Sequence, residues 1–131
     1  MIKKASITVK GIQLSYLVQN ETAENTIFFI HGNSISADSW KKQLNSELLR
    51  AYRLIALDLP AHGDSDASLH PDEDYNLPGL AAYIAETVRQ LVPKQPYILA
   101  GLSLGANRSF EAYHELKTGK IMTETKPDRL L

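Results

Sequence analysis

Residues 97–106 read YILAGLSLGA, and this stretch decides the fold. The apolar run Tyr97–Ala100 is typical of a strand that is buried on both faces of a parallel sheet. Residues 101–105, GLSLG, follow at once and match the pattern G-x-S-x-G. In the setting that this pattern requires, a strand turns sharply into a helix and holds a serine hydroxyl exposed above the sheet. The side chains around such a turn must be small, and the two glycines and Ala106 meet that need.

Ser103, at the centre of this turn, is the candidate nucleophile. The start of the following helix offers free N–H groups and a dipole that favour developing negative charge beside it. The alternative interpretation is a tight strand-to-helix turn in which Ser103 only caps the helix. The G-x-S-x-G pattern by itself does not distinguish a nucleophile from a helix cap, so the other motifs of the chain are needed to decide.

A second motif, residues 31–34 (HGNS), directly follows the apolar run 26–30. An acyl-transfer enzyme needs two N–H donors directed at the carbonyl oxygen as it becomes an oxyanion. We expect the backbone N–H of Leu104 to be one donor. Because Gly32 lets the chain turn, we expect the backbone N–H of Asn33 to be the other. The alternative is a glycine-containing loop with a structural histidine.

A third motif, residues 58–66 (DLPAHGDSD), follows the apolar run 53–57. Proline fixes one backbone angle, glycine permits a positive φ, and aspartate and serine bind backbone N–H groups. We therefore expect these residues to shape a turn rather than to catalyse. The polar loop that continues to Asn76 is long, and long loops are often functional.

The remaining apolar positions predict a hairpin, three helices and a last strand. The hairpin pairs residues 5–9 with residues 12–18 around Gly11. Residues 120–123 predict one more strand. Strands that alternate with helices imply right-handed crossovers. The sequence therefore predicts an α/β fold with a mainly parallel sheet and helices on both faces.

The first helix is expected around Trp40–Arg50. The second follows Asn76 as its N-cap, and Pro78 is tolerated in its first turn. Apolar residues recur along it every three or four positions and form one stripe. The stripe consists of Leu77, Leu80, Ile84, Val88 and Leu91. The third helix begins near Ala106. One of its sides carries Phe110, Tyr113 and Leu116.

Together the three motifs, in this order and spacing, resemble the α/β-hydrolase family. The likeness spans residues 5–123 and covers the N-terminal half of a complete member. It implies that Ser103 is the nucleophile and that the backbone N–H groups of Asn33 and Leu104 form the oxyanion hole. It further implies a serine hydrolase that acts on an ester, thioester or amide carbonyl through an acyl-enzyme, with no metal or organic cofactor. Ala61 departs from the glycine that is common in the loop after the fourth strand.

The resemblance also shows what is missing. Family members carry the nucleophile, then an acid, then a histidine. The one histidine after Ser103 is His114, and a helix that rises about 1.5 Å per residue carries it too far along the axis to act as the base. We expect His31 to order its own loop and His70 to be solvated, and we regard neither His31 nor His62 as a good substitute base. The candidate acids are Glu111, Glu115, Glu124 and Asp128, of which Glu124 follows the last strand.

We therefore expect residues 1–131 to be the N-terminal portion of a single domain, truncated after about its sixth strand. The lid and the C-terminal acid and histidine would be absent, and the chain alone would be inactive. The alternative is a non-catalytic binding or assembly module, whose open sheet edge pairs with a partner chain or a second copy. A dinucleotide-binding domain is disfavoured, because no G-x-G-x-x-G opens a helix after the first strand.

Composition narrows the possible partners. The 131 residues include 14 Lys+Arg and 15 Asp+Glu, for a formal charge of −1, and no run of basic residues indicates nucleic-acid binding. The absence of cysteine excludes disulfides and thiolate chemistry. The first ten residues lack the apolar core of a signal peptide, and no apolar run is long enough to span a membrane. We expect a cytoplasmic protein with a small-molecule substrate and the option of self-association through the sheet edge.

Overall fold

A computed structural model of the chain describes residues 1–32, 35–93, 96–101, 107–108, 111–112, 116 and 120–123. The strands are β1 (Lys3–Val9), β2 (Ile12–Gln19), β3 (Asn25–Ile30), β4 (Tyr52–Leu57), β5 (Tyr97–Gly101) and β6 (Lys120–Thr123). They form one sheet in the order β1-β2-β4-β3-β5-β6. β2 pairs antiparallel with β1 and with β4, and the other neighbours are parallel. The predicted hairpin, buried strands and mainly parallel sheet are confirmed.

The hairpin turn consists of Lys10 and Gly11, which have φ values of 50° and 81°. Two positive φ values in a two-residue loop give the turn whose twist matches that of the flanking strands. The pairing of Val9 with Ile12 closes the ladder directly beside this turn. The hairpin therefore presents a rigid outer edge against which a later loop of the chain packs.

The first predicted helix, over residues 40–50, is wrong as a single element. The structure has a 3-10 helix at Ala37–Trp40, α1 at Lys41–Leu44 and a second 3-10 helix at Glu47–Leu49. The break falls where the Ser46 side chain accepts a hydrogen bond from Leu48 N at 3.3 Å and starts a new turn. Serine competes for backbone N–H groups in this way and so favours caps over helix interiors.

The second predicted helix is confirmed as α3, Leu77–Leu91, and a short helix α2, Pro71–Asp74, precedes it. Asn76 caps α3, because its Oδ1 accepts the Gly79 N–H at 2.7 Å. The middle of the predicted stripe is buried and its ends are not. Leu80, Ile84 and Val88 are buried, Leu91 is half-buried, and Leu77 is 39% exposed.

The sheet has a core on each face, because successive residues of a strand point to opposite sides. Phe28 and Ile30 of β3 belong to the core that α3 covers. Ile27 and Phe29 belong to the core that the first 3-10 helix and α1 cover. β4 and β5 alternate in the same way, which confirms the prediction of helices on both faces.

The third predicted helix is described in part. Residues 107–108, 111–112 and 116 are helical, whereas Ala106, Phe110 and Tyr113 lie outside the described residues. Arg108, Ala112 and Leu116 recur at i, i+4 and i+8 and so share one face of the helix. Ala112 and Leu116 contact the core that α3 also covers, so this face points towards the sheet.

The long loop between β4 and α3 is fixed at its far end by the buried carboxylate of Asp74. That carboxylate accepts hydrogen bonds from the Ser68 hydroxyl and, at 2.7 Å, from the Tyr83 hydroxyl, and it lies 3.3 Å from Lys10 Nζ. The bond from Ser68, and then that from Tyr83, holds the pKa of Asp74 below its usual value. The loop is thereby joined to both the hairpin turn and α3.

The cap of α3 gives a stability prediction. Asn76→Ala should lower the free energy of unfolding by about 1 kcal/mol, because the Gly79 N–H loses its acceptor. Asn76→Asp keeps an acceptor oxygen and should lie within about a few tenths of a kcal/mol of the wild type. Urea unfolding followed by circular dichroism measures both. Equal losses in the two variants would contradict the assignment of the cap.

Candidate active site

Three loops leave the sheet at its carboxyl edge. In the parallel register, Ile30 at the end of β3 pairs with Leu57 at the end of β4 and with Gly101 at the end of β5. The motifs at residues 31–34 and 58–66 therefore begin side by side, next to the last residue of β5. Open α/β sheets bind ligands in the crevice outside the carboxyl ends of their strands. This edge is the candidate site.

The predicted nucleophile Ser103 and the predicted oxyanion donors Asn33 and Leu104 lie outside the described residues. The same holds for His114 and for three of the candidate acids, which are Glu115, Glu124 and Asp128. The fourth candidate acid, Glu111, is exposed on its helix. The structure thus describes the residues that lead into the predicted centre, and the roles of the three central residues stay predictions.

His31 is fully buried at this edge and uses both ring nitrogens. Its Nε2 accepts the Leu59 N–H at 3.1 Å, and its Nδ1 lies 2.7 Å from the Gly32 carbonyl oxygen. This network assigns the neutral ring with its proton on Nδ1, which donates to the carbonyl. A ring with both nitrogens engaged cannot take a proton from a nucleophile. His31 orders its own loop, as the sequence indicated, and also joins it to the loop after β4, which the sequence did not indicate.

Burial lowers the pKa of His31 from 6.5 to about 4. The bond to the Gly32 carbonyl and the charge of Asp58 oppose this shift of the pKa, whereas electrostatic interactions with His62 and Arg108 add to it. The dominant cause is desolvation, which disfavours the charged form of a buried imidazole. His31 is therefore neutral at physiological pH.

His62 lies beside His31, with ring centroids 4.8 Å apart. Its Nδ1 is 2.9 Å from the Pro60 carbonyl oxygen, and its side chain is half-buried. The preceding residue, Ala61, has a φ of 63°, a left-handed conformation at the position where the family commonly has glycine. His70 is exposed at the start of α2, in line with its interpretation as a solvated residue.

Asp58 shapes the turn after β4, as predicted, and also reaches beyond it. Its Oδ2 accepts the Asp64 N–H at 3.1 Å within the turn. Its Oδ1 accepts the Ala37 N–H at 2.8 Å, in the segment that follows β3. Sequence reasoning found the first kind of contact and missed the second, because the local pattern carries no sign of the distant partner.

Arg108 is a buried cation that the sequence analysis did not single out. Only 7% of the residue is exposed, and its Nη1 has no hydrogen-bond partner in the part of the chain that the structure describes. Burial lowers the pKa of its guanidinium from the ordinary value. The signal was present in the sequence, since Arg108 shares a helix face with Ala112 and Leu116.

Two features are absent from the part of the chain that the structure describes. Over the ranges given above, no group of three or more His, Asp or Glu side chains could hold a metal ion. Within those same ranges, no helix is both long enough and apolar enough to cross a membrane.

The chain is similar to a family model and to individual known proteins. The family model of the alpha/beta hydrolase fold matches residues 25–120. A Haemophilus influenzae protein named "Putative 2-succinyl-6-hydroxy-2,4-cyclohexadiene-1-carboxylate synthase" is 37% identical over 79 residues, which are 60% of this chain and 30% of that protein. Epoxide hydrolase 4 of Mus musculus is 35% identical over 81 residues, which are 62% of this chain and 22% of that protein.

Solved structures agree with these matches. A variant of an N-acyl homoserine lactonase in complex with N-hexanoyl homoserine has a TM-score of 0.84 at 26% identity, covering 94% of this chain and 44% of that one. An epoxide hydrolase from Vigna radiata has a TM-score of 0.80 at 22% identity, and the alignment covers 93% of this chain and 38% of that one. At this identity the similarity concerns the fold alone. The chain spans less than half the length of each of these relatives.

The low pKa of His31 predicts how stability depends on pH. Between pH 6.5 and pH 4 the unfolded imidazole binds a proton and the folded one does not, so stability falls as the pH falls through this window. His31 should make the free energy of unfolding about 2 kcal/mol lower at pH 5 than at pH 7. Urea unfolding of the wild type and of His31→Gln at both pH values measures the contribution of His31 to this difference in the free energy of unfolding. An equal pH dependence in both proteins would contradict the assignment.

Proposed function

We propose that this chain, which belongs to the α/β-hydrolase fold family, is the N-terminal portion of a serine hydrolase with Ser103 as its nucleophile. The observation that supports this most is the pairing of Ile30 with Gly101. Because of this pairing, residues 31–34 and residues 102–105 follow neighbouring positions on the carboxyl edge of the sheet. An oxyanion loop and a nucleophile turn require such neighbouring starting points. The helical residues 107–108 follow directly, so the chain passes from strand to helix within a few residues.

The proposed reaction is acyl transfer to water. Ser103 Oγ attacks the carbonyl carbon, and its proton passes through a base to the leaving alcohol, thiol or amine. The backbone N–H groups of Asn33 and Leu104 bind the oxyanion of the tetrahedral intermediate. Water then attacks the acyl-enzyme, which releases a carboxylic acid and restores the hydroxyl. No step requires a metal or an organic cofactor.

An ester carbonyl is the first candidate among the possible substrates. The lactonase structure that is similar to this chain comes from an enzyme named for a lactone, which is a cyclic ester, and is a complex with N-hexanoyl homoserine. We propose a small-molecule ester and a cytoplasmic location. The preference for particular acyl and alcohol groups of the ester would depend on the residues that line the substrate pocket.

In this proposal the described residues do not include the catalytic base. Among the described histidines, His31 has both ring nitrogens engaged and His70 is exposed at the start of α2. His62 has its Nδ1 2.9 Å from the Pro60 carbonyl oxygen, and we propose that it is not the base either. The lactonase structure that aligns with 94% of this chain is more than twice as long as the aligned part. We propose that the catalytic acid and histidine lie in a region that corresponds to the unaligned part of the lactonase. In the 131 residues alone, we expect Ser103 to be acylated slowly.

A second candidate function is a non-catalytic assembly module. β6 is the last strand in the sheet order, and in the described part of the chain it pairs with β5 alone. Such an edge offers a row of backbone donors and acceptors to another strand. A concentration-dependent dimer in sedimentation experiments, lost on Ile121→Pro, would favour this candidate, and a monomer at all concentrations would count against it.

A fluorophosphonate probe tests the proposed nucleophile. We expect slow, stoichiometric labelling of the 131-residue chain, with peptide mapping to Ser103, because the hydroxyl has an oxyanion hole but no base. Ser103→Ala should abolish the label, and Ser103→Cys should be labelled by an iodoacetamide probe if the turn exposes the side chain. Labelling at other serines only would overturn the proposal, and rapid labelling would show that a base is present within the chain.

A further inference from the structure

We propose that Asp58 is a positioning residue for the oxyanion loop, which we define as residues 31–37. This inference rests on the proposed function, in which that loop supplies the N–H of Asn33. The sequence placed Asp58 in a turn of its own. The structure gives its carboxylate a second task, because one oxygen binds inside the turn and the other binds the end of the oxyanion loop.

The backbone of Asp58 is anchored to the sheet. Its N–H donates to the Ser15 carbonyl at 2.9 Å, and its carbonyl accepts the Ser65 hydroxyl at 2.5 Å. The oxygen of that hydroxyl in turn accepts the Ser15 N–H at 2.8 Å. Ser15 lies in β2, which is paired on both sides. The carboxylate of Asp58 therefore extends from a rigid base.

The two oxygens of this buried carboxylate have separate partners. Oδ1 accepts the N–H of Ala37, which is buried at the start of the 3-10 helix, and Oδ2 accepts the N–H of Asp64. Hydrogen bonds from neutral donors to a buried ionised acceptor are among the stronger ones in proteins. The far end of the oxyanion loop is thus fixed by a charged group that the loop after β4 supplies.

The near end of the oxyanion loop is fixed from the same neighbouring loop. His31 accepts the Leu59 N–H and donates to the Gly32 carbonyl. A planar trans peptide points its C=O and the N–H of the next residue in opposite directions. The bond from His31 therefore fixes the orientation of the Gly32 carbonyl at the near end of the oxyanion loop, and Asp58 holds the N–H of Ala37 at its far end.

The Asp58 carboxylate packs so closely against Gly63 that no side chain would fit at position 63. A Cβ at this position would lie 2.4 Å from the carboxyl carbon and from both carboxylate oxygens of Asp58, and the φ of Gly63 is +51°. A methyl group here would push the carboxylate off its two partners without removing its charge. Gly63→Ala is therefore an independent way to displace Asp58.

The variants Asp58→Asn and Gly63→Ala test the proposal, with Asp66→Asn as the matched control. Asn presents only one acceptor oxygen to two N–H groups, so at least one of them loses its partner. Asp66 lies in the same loop, but its Oδ2 accepts the N–H of Gln13 in β2, in an exposed contact. Asp66→Asn therefore removes the charge and weakens one bond of the loop without touching the oxyanion loop.

The first readout is fluorophosphonate labelling of Ser103 over a range of probe concentrations. Asp58→Asn and Gly63→Ala should lower the limiting labelling rate about tenfold to a hundredfold, the effect of a misplaced oxyanion donor, with an unchanged half-saturating concentration. Asp66→Asn should retain the wild-type rate. Equal rates for Asp58→Asn and the wild type, or equal losses in Asp58→Asn and Asp66→Asn, would overturn the proposal.

The second readout is amide hydrogen exchange of peptides that cover residues 31–40, which does not depend on Ser103. Exchange in this segment should be about tenfold faster in Asp58→Asn and Gly63→Ala, the effect of losing one hydrogen bond to a charged group, and unchanged in Asp66→Asn. If the wild type is never labelled at Ser103, the proposed function fails. Hydrogen exchange then tests the contact between Asp58 and Ala37 by itself. Unaltered exchange in Asp58→Asn would overturn the role of Asp58 whatever the labelling shows.

Discussion

The register of β3 between β4 and β5 is the constraint on which the rest of the structure depends. Ile30 pairs with the last residues of both neighbours, so all three strands end at one level. A shift of one residue would reverse the face of every side chain on β3 and offset the loops at the carboxyl edge. The two loops that His31 and Asp58 join would then no longer meet.

Polarity alone does not fix that register, because both faces of β3 are apolar. Shape contributes on one face, where the ring of Phe29 lies 4.8 Å from that of Trp40. At the opposite end of the strand, Arg53 of β4 donates from Nε to the Thr26 hydroxyl at 3.0 Å and from Nη2 to the Leu91 carbonyl at 2.9 Å. A half-buried guanidinium thus joins β3, β4 and the end of α3, and its fixed geometry favours one alignment.

Sequence reasoning succeeded where the deciding interactions are local. Uninterrupted apolar runs gave the central strands, and Asn76 followed by Pro78 gave the start of α3. It failed at residues 40–50, because Ser46 binds a nearby N–H and ends a helix that the apolar pattern would continue. The contact of Asp58 with Ala37 joins different loops, and no local pattern contains it. The three central residues of the site, Ser103, Asn33 and Leu104, remain predictions from motif and resemblance.

The neutral form of His31 matches what its two neighbours need. Leu59 offers a donor and Gly32 an acceptor, so the residue between them must accept on one side and donate on the other. A carboxylate only accepts and an ammonium only donates, whereas a neutral imidazole does both. A second proton would turn Nε2 into a donor that faces the Leu59 N–H, a mismatch that adds to the desolvation of the charged ring.

The two contacts between these loops therefore differ in chemistry. The Asp58 carboxylate only accepts, from N–H groups of both loops, whereas His31 holds its partners only while its ring is neutral. Burial is the main cause of the low pKa of His31, and it outweighs the opposing effect of the Asp58 charge. The carboxyl edge is built so that the imidazole stays uncharged near neutral pH, and its hydrogen bonds, rather than its charge, organise the loop that the proposed reaction uses.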